Sequence, residues 1–163
     1  MKNREDMYDK FGTVAGVLRL TITEAKTGWV KEYFRFDNLI LNQFRIQSLK
    51  ALGNETGPIA NYKIDRMKLG TGNTAAAVTD LDIETHTVPE TSVSVASAVA
   101  ATTYGTTYTA VLGAAEGNGN AYREIGLFMA NNYMMSRRVF AVKTKEADDI
   151  WTFNWTITFT PPA

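Results

Sequence analysis

The chain has 163 residues, no cysteine and one histidine, and its 17 basic residues balance 17 acidic ones. That length suits one domain whose core needs no disulfide or metal to hold it. The missing thiols exclude disulfide and thiolate chemistry, and the zero net charge gives no electrostatic reason to expect a nucleic-acid partner.

The opening stretch MKNREDMYDKFG is charged and lacks the apolar segment of a signal peptide, and no apolar run nears the roughly 18 residues of a membrane helix. The expectation is a soluble chain with no membrane partner. Residues 1–12 read as a polar N-terminal arm and 13–163 as a single β-rich domain. Tyr8 and Phe11 are the arm's aromatic anchors and its candidate assembly contacts.

In VAGVLRLTIT, Leu18, Leu20 and Ile22 alternate with Arg19, Thr21 and Thr23, the period of a half-buried strand. Gly28 supplies the turn, and WVKEYFRF returns with Trp29, Lys31, Tyr33 and Arg35 on one face and Val30, Phe34 and Phe36 on the other. A single short helix is predicted over about 42–52, with Asn38 or Asn42 as its cap and Gly53 as a left-handed C-terminal residue. Ile46, Leu49 and Leu52 recur at helical spacing, and a helix this short needs tertiary packing for most of its stability. KIDRMKLG is a strand out of strict alternation, explained by a bulge between Asp65 and Met67.

Two strands are predicted near Ser92–Ala98 and Thr106–Leu112, in a stretch of small residues that would be hazardous if left unpaired. Cover by another subunit is one expectation for it, and Tyr104 and Tyr108 are its candidate assembly contacts. YREIGLFM, YMMSRRVFAVKT and IWTFNWTITF complete the set. In the last, Trp151, Phe153, Trp155, Ile157 and Phe159 fall on one face with clean period 2. About eight strands and one helix predict a mainly β fold, an antiparallel β-sandwich-like domain.

Chemistry is sparse. His86 sits in a Thr-rich stretch with no nucleophile motif elsewhere and reads as a surface or loop histidine. DLDIE (Asp80, Asp82, Glu84) and EADD lack the ligand pattern of a calcium loop and read as solvated acidic edges. Glu116 and Glu124 flank the EGNGN turn as a conceivable acid–base pair, but nothing in the sequence perturbs either. LGTGN lacks a following helix to cradle phosphate and reads as a turn. Arg137, Arg138, Lys143 and Lys145 read as a solvated basic face or edge-strand guards. No catalytic, cofactor-binding or metal residue is assigned. Glu124 is expected to accept from Arg138, and Gly126 to admit a backbone or a ring such as Trp155.

The order of motifs says more than any one of them. Asn38-Leu39 precedes the helix; Gly70 to Gly72 is followed by Ala/Thr residues and Leu81 to Glu84. Then come Asn118-Gly119, the strand Glu124, Ile125, Gly126, Leu127 and Phe128, the run Arg138 to Phe140, and Trp155 to Phe159. This series, over residues 38–159, resembles structural proteins of tailed bacteriophages. The resemblance implies a non-enzymatic virion component, associated with tail, baseplate, collar or fibre attachment and assembled in the host bacterial cytoplasm. It implies copies of itself, as a ring or trimer, and other virion proteins as partners. With Pro161-Pro162-Ala163 directly after the last strand, an adaptor, collar or baseplate piece is expected rather than a whole fibre. A capsid decoration protein is the alternative within that class. A carbohydrate-binding module is another, with Trp29, Tyr104, Tyr108 and Tyr122 as stacking candidates.

Overall fold

The structure, a computed structural model, describes residues 13–53, 58–86, 92–94, 96–100 and 104–160. Tyr8 and Phe11 lie outside the described residues. The fold is mainly β and antiparallel, with a single α-helix among the described residues, as the sequence pattern predicts. The strands are β1 (Thr13–Glu24), β2 (Val30–Ile40), β3 (Ile64–Gly70), β4 (Ser92–Ser94), β5 (Ala96–Ala100), β6 (Gly105–Leu112), β7 (Ala121–Met129), β8 (Met134–Thr144) and β9 (Asp149–Thr160). Helix α1 spans Asn42–Gly53, and a short 3-10 turn covers Ile59–Tyr62.

The nine strands among the described residues join one sheet in the order β4-β3-β7-β8-β2-β1-β9-β6-β5. The two layers expected of a sandwich are the two halves of this sheet, which curls over itself. One apolar cluster unites Ile64, Met67 and Leu69 of β3 with Leu18 and Leu20 of β1 and Trp151, Phe153 and Trp155 of β9. The stretch read as one strand near Ser92–Ala98 is two. β4 pairs with β3 at one end of the sheet and β5 with β6 at the other, although one residue separates them in sequence. This segment therefore draws the two ends together, and its backbone is paired within the chain.

β9 alternates as predicted, with Trp151, Phe153, Trp155 and Ile157 buried, whereas Phe159 is half exposed and meets the ring of Phe44 at 5.9 Å. It lies between β1 and β6, so both of its edges are bonded. The bulge in β3 falls at Asp65, where Ile64 pairs with Met129 and Arg66 with Phe128.

Helix α1 departs from expectation. Phe44 and Gln47 face inward, while Leu49 and Leu52 are 69% and 84% exposed and Ile46 is also exposed. Gly53 ends the helix without a left-handed conformation, which among the described glycines occurs at Gly28, Gly117 and Gly119. Asn38 lies upstream on β2, where its amide donates to Ser136 Oγ rather than capping the helix.

Candidate functional site

Glu124 is fully buried on β7 and is the centre of a dense polar cluster. The alternation of the strand sets its direction. Ile125 and Leu127 enter the main core, while Phe128 joins a second small cluster with Leu41, Ile83 and Met134 under the 71–86 loop. A pairing irregularity between Tyr122 and Glu124 helps turn the carboxylate towards that loop.

Every carboxylate lone-pair direction finds a donor. Oε1 accepts from the backbone N–H of Gly72 at 3.0 Å and of Thr85 at 2.8 Å. Oε2 accepts from the N–H of Glu84 at 2.9 Å and from Arg137 Nε and Nη2 at 3.0 and 2.9 Å. Arg137 is 3% exposed. Its Nη1 donates to Asp80 Oδ2 at 2.7 Å and its Nη2 to the Thr74 carbonyl at 3.2 Å. Burial alone would lower the Arg137 pKa, but the bonds to Asp80 and Glu124 outweigh it and hold the guanidinium above its ordinary value. The buried charge is therefore paired and hydrogen-bonded on every side, the condition under which such a pair survives in a low-dielectric interior.

The partner of Glu124 is Arg137, not Arg138. Glu124 pairs across the ladder with Val139, which puts Arg137 two residues along on the same face. Arg138 points the other way, donates to the Asp37 carbonyl at 2.8 Å and lies 5.2 Å from the Phe36 ring centroid. Gly126 likewise does not meet Trp155, which is buried in the main core. A Cβ at Gly126 would strike Phe128, Met134 and Ile83.

The glycine pair of LGTGN is also explained. A Cβ at Gly70 would lie 2.6 Å from Glu124 Oε1, and one at Gly72 would lie 2.5 Å from the same atom. Both glycines let the loop backbone close on the carboxylate. Glu84 then ties the loop to itself. Its Oε2 accepts from the Thr74 N–H and its Oε1 from the Thr74 hydroxyl, each at 2.8 Å. These bonds, the backbone one first, hold Glu84 below the usual carboxylate range. The 70–72, 80–84, 124 and 137 segments, distant in sequence, thus meet at one point.

The expected solvated acidic and basic stretches are mostly engaged. Asp80 is bound by Arg137 and by the Ala77 N–H, and Asp82 accepts from the Ile83 N–H. Asp148 and Asp149 hold Lys31 at 3.3 and 2.7 Å. Lys143 bonds Glu32 at 2.6 Å and sits 4.5 Å from the Phe34 ring centroid. Lys145, expected on a solvated face, is fully buried. Its ammonium donates to Asn118 Oδ1 at 3.0 Å and to the carbonyls of Glu146 at 3.0 Å and Asp149 at 2.5 Å, so it staples the EGNGN turn to the EADD turn. Burial pushes its pKa down. Sequence reasoning missed Arg137 and Lys145 as anchors, because a basic run carries no mark of which side chain turns inward.

Glu116 and Glu124 do not share a site. Glu116 caps its own exposed turn through the Gly113 N–H at 2.7 Å, while Glu124 is enclosed by the 72–85 loop. His86 is half buried and forms a backbone bridge with Gly70. No group of three metal-binding side chains converges among the described residues. Tyr104 is exposed with a φ of 46°, and half-buried Tyr108 lines a cleft of about 300 Å³ with Phe44, Tyr62 and Met129. No protein family, curated relative or solved structure matches the chain.

Chemically, the cluster is a clasp. Its carboxylate is saturated by five donors and its guanidinium has acceptors in three directions, so neither group is presented to a substrate.

Proposed function

We propose that this chain is a non-enzymatic structural component of a tailed-bacteriophage particle, a tail-associated adaptor, collar or baseplate piece that acts by assembling with copies of itself and with other virion proteins. The observation that carries this reading is the convergence of the resembling motifs. Gly70, Gly72, Glu84 and Glu124 come from three separate motifs and are spent on one internal clasp. Residues that keep a loop closed suit a protein whose work is to hold a shape for its neighbours. The clasp also argues against general acid–base work by Glu124, which has no reachable proton to exchange with a substrate.

Mass spectrometry of purified particles tests the proposal. The chain is expected among the virion proteins, and a particle reconstruction is expected to place it on the tail. Absence from purified particles rejects the reading; density on the head instead selects capsid decoration.

One observation favours a second reading, a carbohydrate-binding module on the particle surface. Trp29 is 78% exposed at the tip of the β1–β2 hairpin, beside Thr27, Glu24 and Lys31. An exposed indole flanked by polar groups suits sugar stacking. A glycan array that shows binding lost in Trp29→Ala supports it, and no binding at high concentration removes it.

A further inference from the structure

We infer that the open edge of β2 is a strand-addition site whose occupant is β2 of a second copy of this chain, antiparallel and centred on Phe34. This deepens the assembly reading above, on which it rests, by naming a contact surface.

β2 is bonded along one edge and open along the other. On one side it pairs with β1 without interruption from Gly16 opposite Asn38 to Ile22 opposite Glu32. On the other it meets β8 only at Leu39 and Ile40, and towards the β1–β2 hairpin the two strands part. Backbone groups alternate between the two edges of a strand. The Asp37 carbonyl points away from β1, because Arg138 of β8 donates to it at 2.8 Å. Tyr33 and Arg35 share that parity, so their N–H and C=O groups also point outward, and no described residue bonds them. Residues 32–38 hold no proline, glycine or bulge that would turn another chain away. Another strand is the partner that offers donors and acceptors at this alternating spacing.

The side chains select which strand. Lys31, Tyr33, Arg35 and Asp37 alternate with Glu32, Phe34 and Phe36. An antiparallel partner must set outward backbone groups against outward ones, so a second β2 can be centred on a residue but not between two. Like charges directly opposite each other destabilise a ladder. A centre at Glu32 sets that carboxylate against itself, one at Tyr33 sets Lys31 against Arg35, and one at Arg35 sets the guanidinium against itself. A centre at Phe36 needs the Asp37 carbonyl that Arg138 already holds. Phe34 is left. There Tyr33 of each copy exchanges its backbone bonds with Arg35 of the other, and the guanidinium lies beside the exposed Tyr33 ring. Arg35 is free for this contact, since its side chain is 56% exposed and its own carboxylate neighbour, Asp37, lies 3.7 Å away. Lys31 stays with Asp149 and Asp148, so its place opposite Asp37 matters only in being free of repulsion. The mixed charges of this edge thus reject the other registers and admit one that is self-complementary.

Sedimentation equilibrium of the full chain over a wide concentration range tests this. The native chain is expected to dimerise, and Arg35→Pro, which deletes an outward N–H, to raise the dissociation constant at least about tenfold. Its circular dichroism should match the native chain, because an edge strand tolerates proline where the N–H faces solvent. Arg35→Ala keeps the N–H and should weaken the dimer less. Amide hydrogen exchange of the native chain needs no variant and decides the matter if Arg35→Pro fails to fold. Exchange at Tyr33 and Arg35 should slow as concentration rises through the dissociation constant, while Phe34 and Phe36, bonded to β1, stay protected throughout. A native chain that stays monomeric overturns the site. So does a dimer that a folded Arg35→Pro leaves intact, that Arg35→Ala weakens as much, or in which exchange at Tyr33 and Arg35 ignores concentration. Particle mass spectrometry separates the failures: a chain found in virions but monomeric in solution keeps the assembly reading and rejects this edge.

Discussion

Arg137 delivers both Nε and Nη2 to a single oxygen of Glu124, Oε2, and leaves Oε1 to the amides of Gly72 and Thr85. The pair is thus a joint between the β7–β8 ladder and the 71–85 loop rather than an isolated ion pair. Removing one partner strands the other in the interior. Arg137→Met is expected to cost about 3–5 kcal/mol, the range for breaking a buried pair. Arg138→Met, which loses a contact to a carbonyl and a ring face near solvent, should cost no more than about 1 kcal/mol. Urea denaturation of both variants checks the order. Equal losses would mean that the buried pair is not the joint described.

Gly72→Ala tests the loop side of the same joint without touching a charge. The added methyl would sit 2.5 Å from both Glu124 Oε1 and the Glu84 Cβ, and those atoms are held by other bonds. An overpacking loss of about 1–3 kcal/mol is expected. Gly53→Ala is the control, because a Cβ there meets nothing within 4 Å and its backbone needs no positive φ. That variant should be neutral or gain up to about 1 kcal/mol from a stiffer unfolded chain. Thermal melting of the two separates steric closure from a general intolerance of glycine replacement.

Much of this architecture is legible in the sequence. β1 and β9 each bury one face, and strict alternation of Leu18, Leu20 and Ile22 or of Trp151, Phe153 and Trp155 can mean little else. The helix was legible as a helix but not in its orientation. Ile46, Leu49 and Leu52 report that a face is apolar, and periodicity does not say whether the chain itself or something else covers it. Arg137 and Arg138 illustrate a different limit. Neighbours on a strand point to opposite faces, so the choice between them rests on a ladder register displaced by irregularities, which no local pattern encodes. The splitting of the Ser92–Ala98 region into strands on opposite sheet ends is likewise a non-local fact.

Glu84 gives the protein an acid-sensitive latch. The Thr74 N–H and hydroxyl hold its carboxyl below the usual range, so the folded state binds the proton less readily than the unfolded chain. Its contribution to stability is present above the ordinary glutamate value and is lost as pH falls through the folded value. Glu84→Gln should therefore lower stability at neutral pH and close the gap to the native chain in acid. A gap independent of pH, measured by urea melts from neutral to about pH 3, would rule out the latch.

Lys145 acts at the other end of the pH scale, where burial of the charged form, rather than bonds to it, sets the shift. Its ammonium is enclosed and accepted by an amide oxygen and two carbonyls, none of which carries a charge. Burial holds its folded pKa below the ordinary lysine value, so the unfolded chain binds the proton more tightly. Between the folded value and the ordinary one, the unfolded state carries more protons, and stability gains as pH rises through that window. Lys145→Met removes this titration and leaves three acceptors without a donor, a loss of about 1–3 kcal/mol for each acceptor left fully dry. The native chain should therefore exceed the variant in stability at neutral pH, and its advantage should widen as pH rises towards the ordinary lysine value. Paired urea melts at stepped pH provide the check. An advantage that narrows over the same steps would mean that Lys145 is held by charge after all, with Asp149 or Glu116 outweighing its burial.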